Sequence, residues 1–243
     1  MRPEGVTPVI VSASFDDMRS GQIRLLQEAS KLGPVTIRLW SDAAVAAATG
    51  QHPRFPQAER EYLVSAIRYV DRVAVTDEPV ADPTAVRDAD LEGFPASHVG
   101  MPGPAGGRKR VVVTGCYDWF HSGHVAFFEE CARLGELVVV VGHDKTITLL
   151  KGEGHPMFPQ EERLYMVQAI RHVYRAMISS GMGWLDAEPE ILRFRPDIWA
   201  VNEDGDRPEK REFCAAHGIE YRVLRRIPHA GLPRRESTRL RGF

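Results

Sequence analysis

Apolar residues fall in short runs along the chain, and each run is followed by a stretch in which apolar residues recur with helical spacing. The valine runs at 111–113 and 138–141 are nearly uninterrupted, which is typical of strands buried on both faces of a parallel sheet. Strands that alternate with helices build βαβ units with right-handed crossovers. We therefore predict an α/β fold with a doubly wound parallel sheet.

The predicted elements follow one order twice. A strand leads through a Ser-Gly turn to a helix that ends at a glycine; a second strand, a loop, a helix beginning near Phe-Pro-Gln and a third apolar run follow. The predicted strands are Val9–Ser12, Val35–Leu39, Val111–Thr114 and Leu137–Val141, and the first helices end at Gly33 and Gly135. The second part then continues, with helices predicted at 186–194 and 208–218 and strands at 197–201 and 220–224.

The repeated order is accompanied by a repeated sequence. VIVSASFDDMRSGQIRLLQEASKLG, from residue 9, aligns with VVVTGCYDWFHSGHVAFFEECARLG, from residue 111. HPRFPQAEREYLVSAIRYVDRVAV then aligns with HPMFPQEERLYMVQAIRHVYRAMI, in the same order and with one residue of slippage. We interpret this as a tandem repeat. It predicts an abbreviated domain at 6–78, a Pro-, Gly- and Ala-rich linker at 79–108 with room for one short helix, and a complete domain at 109–243.

Composition and charge narrow the class of protein. The chain is 43% hydrophobic and 26% charged, as expected of a globular protein. Its formal net charge of -2 argues against electrostatic capture of nucleic acid. The three cysteines form neither an even disulfide framework nor a zinc pattern. The N-terminus has no signal-like apolar run and no apolar stretch approaches about 18 residues, so we expect a cytoplasmic protein without a membrane partner.

The stretch GCYDWFHSGH, at 115–124, has the features of a phosphate site. A buried strand ends near Thr114, Gly115 allows the backbone to turn closely, and a helix starts around Ser122. The N–H groups of such a helix start lie at the carboxyl edge of the sheet, where doubly wound folds bind ligands. His121 and His124 would add imidazole donors there. An exposed or capping role is the alternative for either histidine alone, and a zinc site lacks further ligands at suitable spacing.

These residues resemble the cytidylyltransferase-like nucleotidyltransferases, whose signature is a His-x-Gly-His turn after the first strand. Within that superfamily the chain looks most like the CTP:phosphoethanolamine and related phospho-alcohol cytidylyltransferases, which are also tandem repeats of this fold. Three segments within 109–175 carry the likeness: GCYDWFHSGH, VVVVGHDKTITLLKGEGHPMF and QEERLYMVQAIRHV. The expected architecture is accordingly a Rossmann-like nucleotidyltransferase fold.

The resemblance also implies roles for individual residues. His121, His124 and Lys151 are implied as catalytic residues that contact the phosphates, and Arg163 and Lys151 as ligands of the acceptor phosphate. Taken alone, Lys151 is explained equally well as an exposed loop cation, and Arg163 is explained better as part of a solvated helix face. The predicted nucleotide-binding residues are Gly115, Cys116, Tyr117, Asp118, Gly123, Asn202, Ser237, Thr238 and Arg241.

Two segments depart from the phospho-alcohol pattern. The basic tail carries Arg-Glu-Ser-Thr-Arg-Leu-Arg at 235–241, closer to the Ser-Ser-Thr-x-x-Arg form of the adenylyltransferase branches than to Arg-Thr-x-Gly-x-Ser-Thr-Thr. Its Ser237 and Thr238 would cap a helix and Arg241 would reach the phosphates; a frayed tail is the alternative. In the loop after 197–201, Asn202, Asp204 and Asp206 would read the base, the ribose or an acceptor ammonium group, or merely cap the next helix.

The predicted function is transfer of CMP from CTP to a small phosphate monoester, such as phosphoethanolamine, giving a CDP-alcohol and pyrophosphate by direct in-line attack. Mg²⁺ is expected with the triphosphate, without a metal site built by the protein. The alternatives are an ATP-dependent adenylyltransferase of the same superfamily and a nucleotide-binding regulatory protein without turnover.

The first copy lacks most of the predicted chemistry. Arg19 and Gln22 stand in place of the two histidines and Ala48 in place of Lys151, although Arg60 still matches Arg163. We therefore predict a degenerate copy that packs on the second as an intramolecular pseudo-dimer. A homodimer of the whole chain and a regulatory ligand site in the first copy are the open alternatives.

Overall fold

The computed structural model describes residues 7–79, 86, 88–95, 107–225, 227–236 and 240. The chain divides into two compact units, Met1–Pro95 and Ala96–Phe243. Each unit contains a parallel β-sheet with helices between its strands. The predicted α/β fold is thereby confirmed.

The first unit follows the predicted order, with one helix more. Its strands pair in the order β1-β2-β3, and both pairs are parallel. The apolar side chains of Ile23, Leu26 and Ile37 are fully buried, as the helical and strand patterns require. The elements are β1 (Val9–Ala13), α1 (Ser20–Leu32), β2 (Val35–Trp40), α2 (Asp42–Thr49), α3 (Gln57–Ser65) and β3 (Arg72–Thr76).

Part of the predicted linker belongs to this unit. A short 3-10 turn spans Asp88–Leu91, within 79–108, and the unit extends to Pro95. The guanidinium of Arg24, on α1, donates a hydrogen bond to the backbone carbonyl of Asp90. This contact attaches the turn to the first helix.

The second unit has the larger sheet, in the order β6-β5-β4-β7-β8, with every pair parallel. The chain starts at β4, moves outward to β6 and then returns to the other side of β4. The topological switch point therefore lies between β4 and β7, where doubly wound folds bind ligands. The elements are β4 (Arg110–Gly115), α4 (Ser122–Leu134), β5 (Glu136–Val141), α5 (Asp144–Lys151), α6 (Gln160–Gln168), β6 (Arg175–Ile178), α7 (Glu188–Phe194), β7 (Ile198–Asn202), α8 (Pro208–His217) and β8 (Glu220–Leu224).

The core of this unit holds the central strands in place. All six residues of β5 are buried, as the valine run predicts. Trp199 of β7 is fully buried and packs with Val112, Val140, Ile191 and Phe213. Burial of each large apolar side chain contributes about 1.5–3 kcal/mol, so the ends of these strands form a rigid base for the loops that follow them.

One prediction about local structure is wrong in both units. The segment after each second strand is a helix of eight residues, α2 or α5, rather than a loop. The helices begin at side-chain caps: Ser41 Oγ accepts from the N–H of Ala44 at 3.1 Å, and His143 Nδ1 accepts from that of Thr146 at 3.2 Å. Caps of this kind stabilise a helix too short for its apolar pattern to be recognised.

Among the described residues, none of the helices combines the length and apolar character needed to cross a bilayer.

Candidate active site

A cleft of about 510 Å³ opens at the carboxyl edge of the second sheet, at the switch point between β4 and β7. Residues from the ends of β4 and β7 line it, together with residues of α4, α5 and α8. Of the predicted site residues, those that line the cleft are Gly115, Cys116, Tyr117, Asp118, His124, Lys151 and Asn202. One fold feature therefore brings together most of the residues predicted from separate motifs.

The two histidines form the N-terminal cap of α4. His121 Nδ1 accepts from the N–H of Gly123 at 3.1 Å, and the N–H of His121 donates to His124 Nδ1 at 3.3 Å. The two rings are stacked, with centroids 3.9 Å apart. Because both Nδ1 atoms accept, each neutral ring carries its hydrogen on Nε2. The cap thus selects the tautomer in which Nε2 is a donor.

The histidines differ in how they meet the cleft. His124 lines it and lies between the rings of Phe120 and Tyr117, at centroid distances of 5.2 and 5.4 Å. His121 is only 2% exposed, and its ring stacks against that of His124. Gly123 lines an adjoining small pocket, and a Cβ there would lie 2.9 Å from Cε1 of His121. Only glycine leaves room for the stacked pair.

The turn between β4 and α4 has an unusual backbone. Tyr117 has a φ of 55°, and its buried ring packs edge-on against Phe128. A Cβ at Gly115 would lie 2.8 Å from that ring, so glycine is required here too. Burial raises the pKa of the Cys116 thiol, which keeps this cleft-lining sulfur protonated at neutral pH. A protonated thiol is a poor nucleophile, and the mechanism predicted for this family needs none.

Asp118 and Arg163 connect this turn to neighbouring segments. Asp118 Oδ1 accepts from the N–H groups of Met157 and Phe158, at 2.7 and 3.0 Å. Arg163 is 1% exposed. Its guanidinium donates to the carbonyls of Phe158, Cys116 and Gly142 and to Asp144 Oδ1, at 2.5–3.0 Å. Its donors point at protein groups, which favours a positioning role over the predicted contact with an acceptor phosphate.

The first unit repeats these contacts. Arg60 is also 1% exposed and donates to the carbonyls of Phe55, Ser14 and Trp40 and to Asp42 Oδ1. Asp16 accepts from the N–H groups of Arg54 and Phe55, and Phe15 has a φ of 47°. Even the helix cap is kept, since Gln22 Oε1 accepts from the N–H of Arg19 at 2.8 Å. The polar frame therefore exists without the histidines, so it serves the fold.

Lys151 is another cleft residue with no counterpart in the first unit, where Ala48 stands in its place. It ends α5, is exposed and lines the cleft; Gly152 follows with a φ of 87°. Its position lies across the cleft from the loop that follows β7. The predicted phosphate contact of Lys151 is compatible with this place and stays a prediction.

Lys210, Asp186 and Trp184 also line the cleft and were not among the predicted site residues. Lys210, on α8, is 7% exposed, and its Nζ donates to Thr114 Oγ1 at 3.2 Å. Burial lowers the pKa of its amino group and raises that of the Asp186 carboxyl, which accepts from Ser179 Oγ at 2.6 Å. Trp184 is 43% exposed, with the guanidinium of Arg207 4.4 Å from its ring centroid.

A sequence signal for Lys210 did exist. In PEKREFCAAHG, Lys210 shares a helix face with Phe213 and Cys214, at spacings of three and four residues. A lysine on the buried face of an amphipathic helix is rare and marks a candidate functional group. Trp184 lies in a single 3-10 turn, Gly183–Leu185, and Asp186 follows it; a segment this short shows no periodic pattern that identifies a position.

Comparison with known proteins identifies the family. Residues 112–223 match the family model described as Cytidylyltransferase-like. The FAD synthase of Methanopyrus kandleri is 39% identical over 123 residues, which cover 48% of this chain and 79% of that protein. The chain belongs to the cytidylyltransferase-like nucleotidyltransferases. The superfamily predicted from the histidine turn is thereby confirmed.

Other relatives of this nucleotidyltransferase carry the same name. The FAD synthase of Thermococcus kodakarensis is 37% identical over 125 residues, covering 50% of this chain and 81% of that protein. The FAD synthase of Pyrococcus horikoshii is 41% identical over 122 residues, covering 49% of this chain and 80% of that protein. The predicted closeness to phosphoethanolamine cytidylyltransferases is not supported by these relatives.

The loop after β7 contributes to the nucleotidyltransferase cleft in part. Asn202 and Asp204 line the cleft, as predicted. Asp206 instead accepts hydrogen bonds from Arg211 and from the Tyr221 hydroxyl, the latter at 3.0 Å, and the ion pair with Arg211 lowers the pKa of its carboxyl. Asp206 thus pairs with side chains of α8 and β8, but it does not cap α8, whose N-cap residue is Arg207 and has no side-chain cap bond.

Three of the predicted nucleotide-binding residues belong to the C-terminal tail. Ser237, Thr238 and Arg241 lie outside the described residues, whereas Arg234 and Glu236 line the cleft. Within the described ranges no group of three or more His, Cys, Asp or Glu side chains is placed to hold a metal ion. Mg²⁺ bound to the triphosphate stays a prediction.

Proposed function

We propose that the second unit makes FAD by transferring AMP from ATP to the phosphate of FMN, with release of pyrophosphate. The observation that carries the proposal is the likeness, at 37–41% identity, to three FAD synthases over about four-fifths of their length. FAD consists of FMN and AMP joined through a phosphoanhydride. A nucleotidyltransferase that forms it needs ATP as donor and FMN as acceptor.

The chemistry suits a site without a protein nucleophile. The phosphate monoester of FMN attacks the α-phosphorus of ATP in line; the new O–P bond forms as the bond to the β-phosphate oxygen breaks, and pyrophosphate leaves with that electron pair. Mg²⁺ on the triphosphate would neutralise part of its charge. The Nε2–H group of His124 and the ammonium of Lys151, which line the cleft, would stabilise the charge that develops on the phosphates, and the buried His121 ring stacks against that of His124.

The cleft also offers a surface for a flat ring. Trp184 lines it with an exposed indole, and the guanidinium of Arg207 lies over that indole. Exposed aromatic rings of this kind stack with planar ligands such as an isoalloxazine or an adenine. A small acceptor such as phosphoethanolamine has no planar group to use this surface.

The sequence tail favours the same donor. The Arg-Glu-Ser-Thr-Arg-Leu-Arg stretch is closer to the adenylyltransferase form than to the phospho-alcohol form. CTP and a phospho-alcohol, the donor and acceptor predicted from the sequence, are therefore the competing pair of substrates.

A matrix of two donors and two acceptors separates the alternatives. ATP and CTP are each combined with FMN and with phosphoethanolamine, and pyrophosphate release is measured together with the nucleotide product by chromatography. We expect FAD from ATP and FMN, and no turnover with phosphoethanolamine. Turnover of CTP with phosphoethanolamine, or nucleotide binding without pyrophosphate release in any combination, would overturn the proposal.

A further inference from the structure

Lys210 is placed where three strands converge on the cleft. The histidines follow β4, the central strand, and Lys151 ends the helix that follows its neighbour β5. Lys210 lies on α8, which follows β7, the neighbour on the other side. Its Nζ reaches Thr114 at the end of β4 and lies 5.5 Å from the ring centroid of Trp199. The ammonium therefore connects α8 to the end of β4, at the switch point.

The surroundings of this ammonium leave its charge poorly compensated. Within the described ranges its hydrogen bond is to a neutral hydroxyl, and it forms no ion pair. The charged groups that face it are Asp186, Asp204 and Arg207, and the Cys214 thiol is close as well. Asp186 accepts from Ser179 Oγ and forms no ion pair with Lys210 within the described ranges, and burial raises the pKa of its carboxyl. A buried cation without a pair is costly unless a ligand supplies the anion.

We propose that Lys210 is a further phosphate-binding residue of this site, which pairs with a phosphate group of the bound ligand on the side of the cleft opposite to Lys151. The chemistry is shared by two sources, the triphosphate of ATP and the phosphate of FMN. The identity of these sources rests on the proposed function, whereas the anion-binding role of Lys210 does not.

The substitution K210M tests the proposal in the full-length protein. Methionine keeps the length of the aliphatic stem and removes the charge, and K210R restores a charge. K145M is the matched control, because Lys145 is exposed on α5 and lies outside the cleft lining. Inorganic tripolyphosphate, ATP and FMN are titrated into each variant by calorimetry, and a thermal melt shows that each is folded.

We expect K210M to weaken tripolyphosphate binding by about 10- to 100-fold, the worth of one charge-assisted hydrogen bond. K145M should bind like the wild type, and K210R should recover part of the loss. A parallel loss for ATP alone assigns Lys210 to the donor, and a loss for FMN alone assigns it to the acceptor. Unchanged affinity of folded K210M for all three probes overturns the proposal.

The two proposals fail in different ways. If the wild type makes no FAD and K210M still loses tripolyphosphate affinity, the proposed function is wrong and the role of Lys210 stands. If FAD forms normally and K210M binds all probes like the wild type, the proposed function stands and the role of Lys210 is wrong.

Discussion

His124 caps its helix through Nδ1 and lines the cleft. Its Nδ1 accepts the N–H of His121, which is a capping interaction. In the first unit Gln22 makes the same bond with an amide oxygen. A cap of this kind therefore does not require an imidazole.

H124Q separates these two roles. Glutamine keeps the cap, as Gln22 does, and loses the imidazole donor. We expect the melting temperature to change little and turnover to fall about 100- to 1000-fold, the usual effect of losing one donor to transition-state charge. Steady-state FAD formation and a thermal melt measure the two effects. Q22H in the first unit is the control and should change neither; near-wild-type turnover of H124Q would remove His124 from the catalytic residues.

At the scale of elements, Arg163 and Arg60 each fasten a turn, a strand end and a helix to one another. The two guanidinium groups use the same set of partners in their own units. Since the first unit lacks the histidines and the lysine, its arginine is explained by the frame alone. The same explanation then suffices for Arg163.

The pair R163M and R60M tests that explanation. Each change leaves three carbonyls without their donor, so we expect each variant to lose about 3–5 kcal/mol of unfolding free energy, measured by urea titration. R163M protein that remains folded should keep its KM for FMN within a few-fold of the wild type. A large rise in that KM with stability unchanged would instead place Arg163 at the acceptor phosphate.

Strong periodicity made most elements predictable. The valine runs predicted β4 and β5 to within one residue at each end. The spacing of apolar residues predicted α1 and α4, together with the glycines that follow them. The helices α2 and α5 were missed because eight residues show too few turns for a period, and because their start depends on a side-chain cap.

The site was predictable only where a motif runs along the chain. The histidine turn and Lys151 belong to contiguous segments, so pattern and resemblance located them. Trp184 and Asp186 reach the cleft through the fold of a loop after β6, and Lys210 reaches it by the packing of α8 against β4. Such convergence depends on tertiary structure. The buried partners of Arg163, which change its interpretation, are likewise invisible in the sequence.

At the scale of the whole molecule, the family match and the described cleft both lie in the second unit. The matched segments cover about half of this chain and about four-fifths of the FAD synthases, and the cleft is lined by residues of the second unit. The first unit keeps the frame contacts without the catalytic side chains. Its retention calls for a role other than turnover, and stabilising the second unit is the role predicted from the sequence.

A fragment of residues 101–243, compared with the full chain, tests that role. If the first unit stabilises the second, as predicted from the sequence, the fragment should unfold at lower urea concentration and tend to aggregate. The activity of the fraction that remains folded should match the full chain, since the cleft residues are all retained. Urea titration, light scattering and FAD formation per folded molecule give these quantities. A monodisperse fragment with full stability and activity would refute a stabilising role and direct attention to a ligand of the first unit.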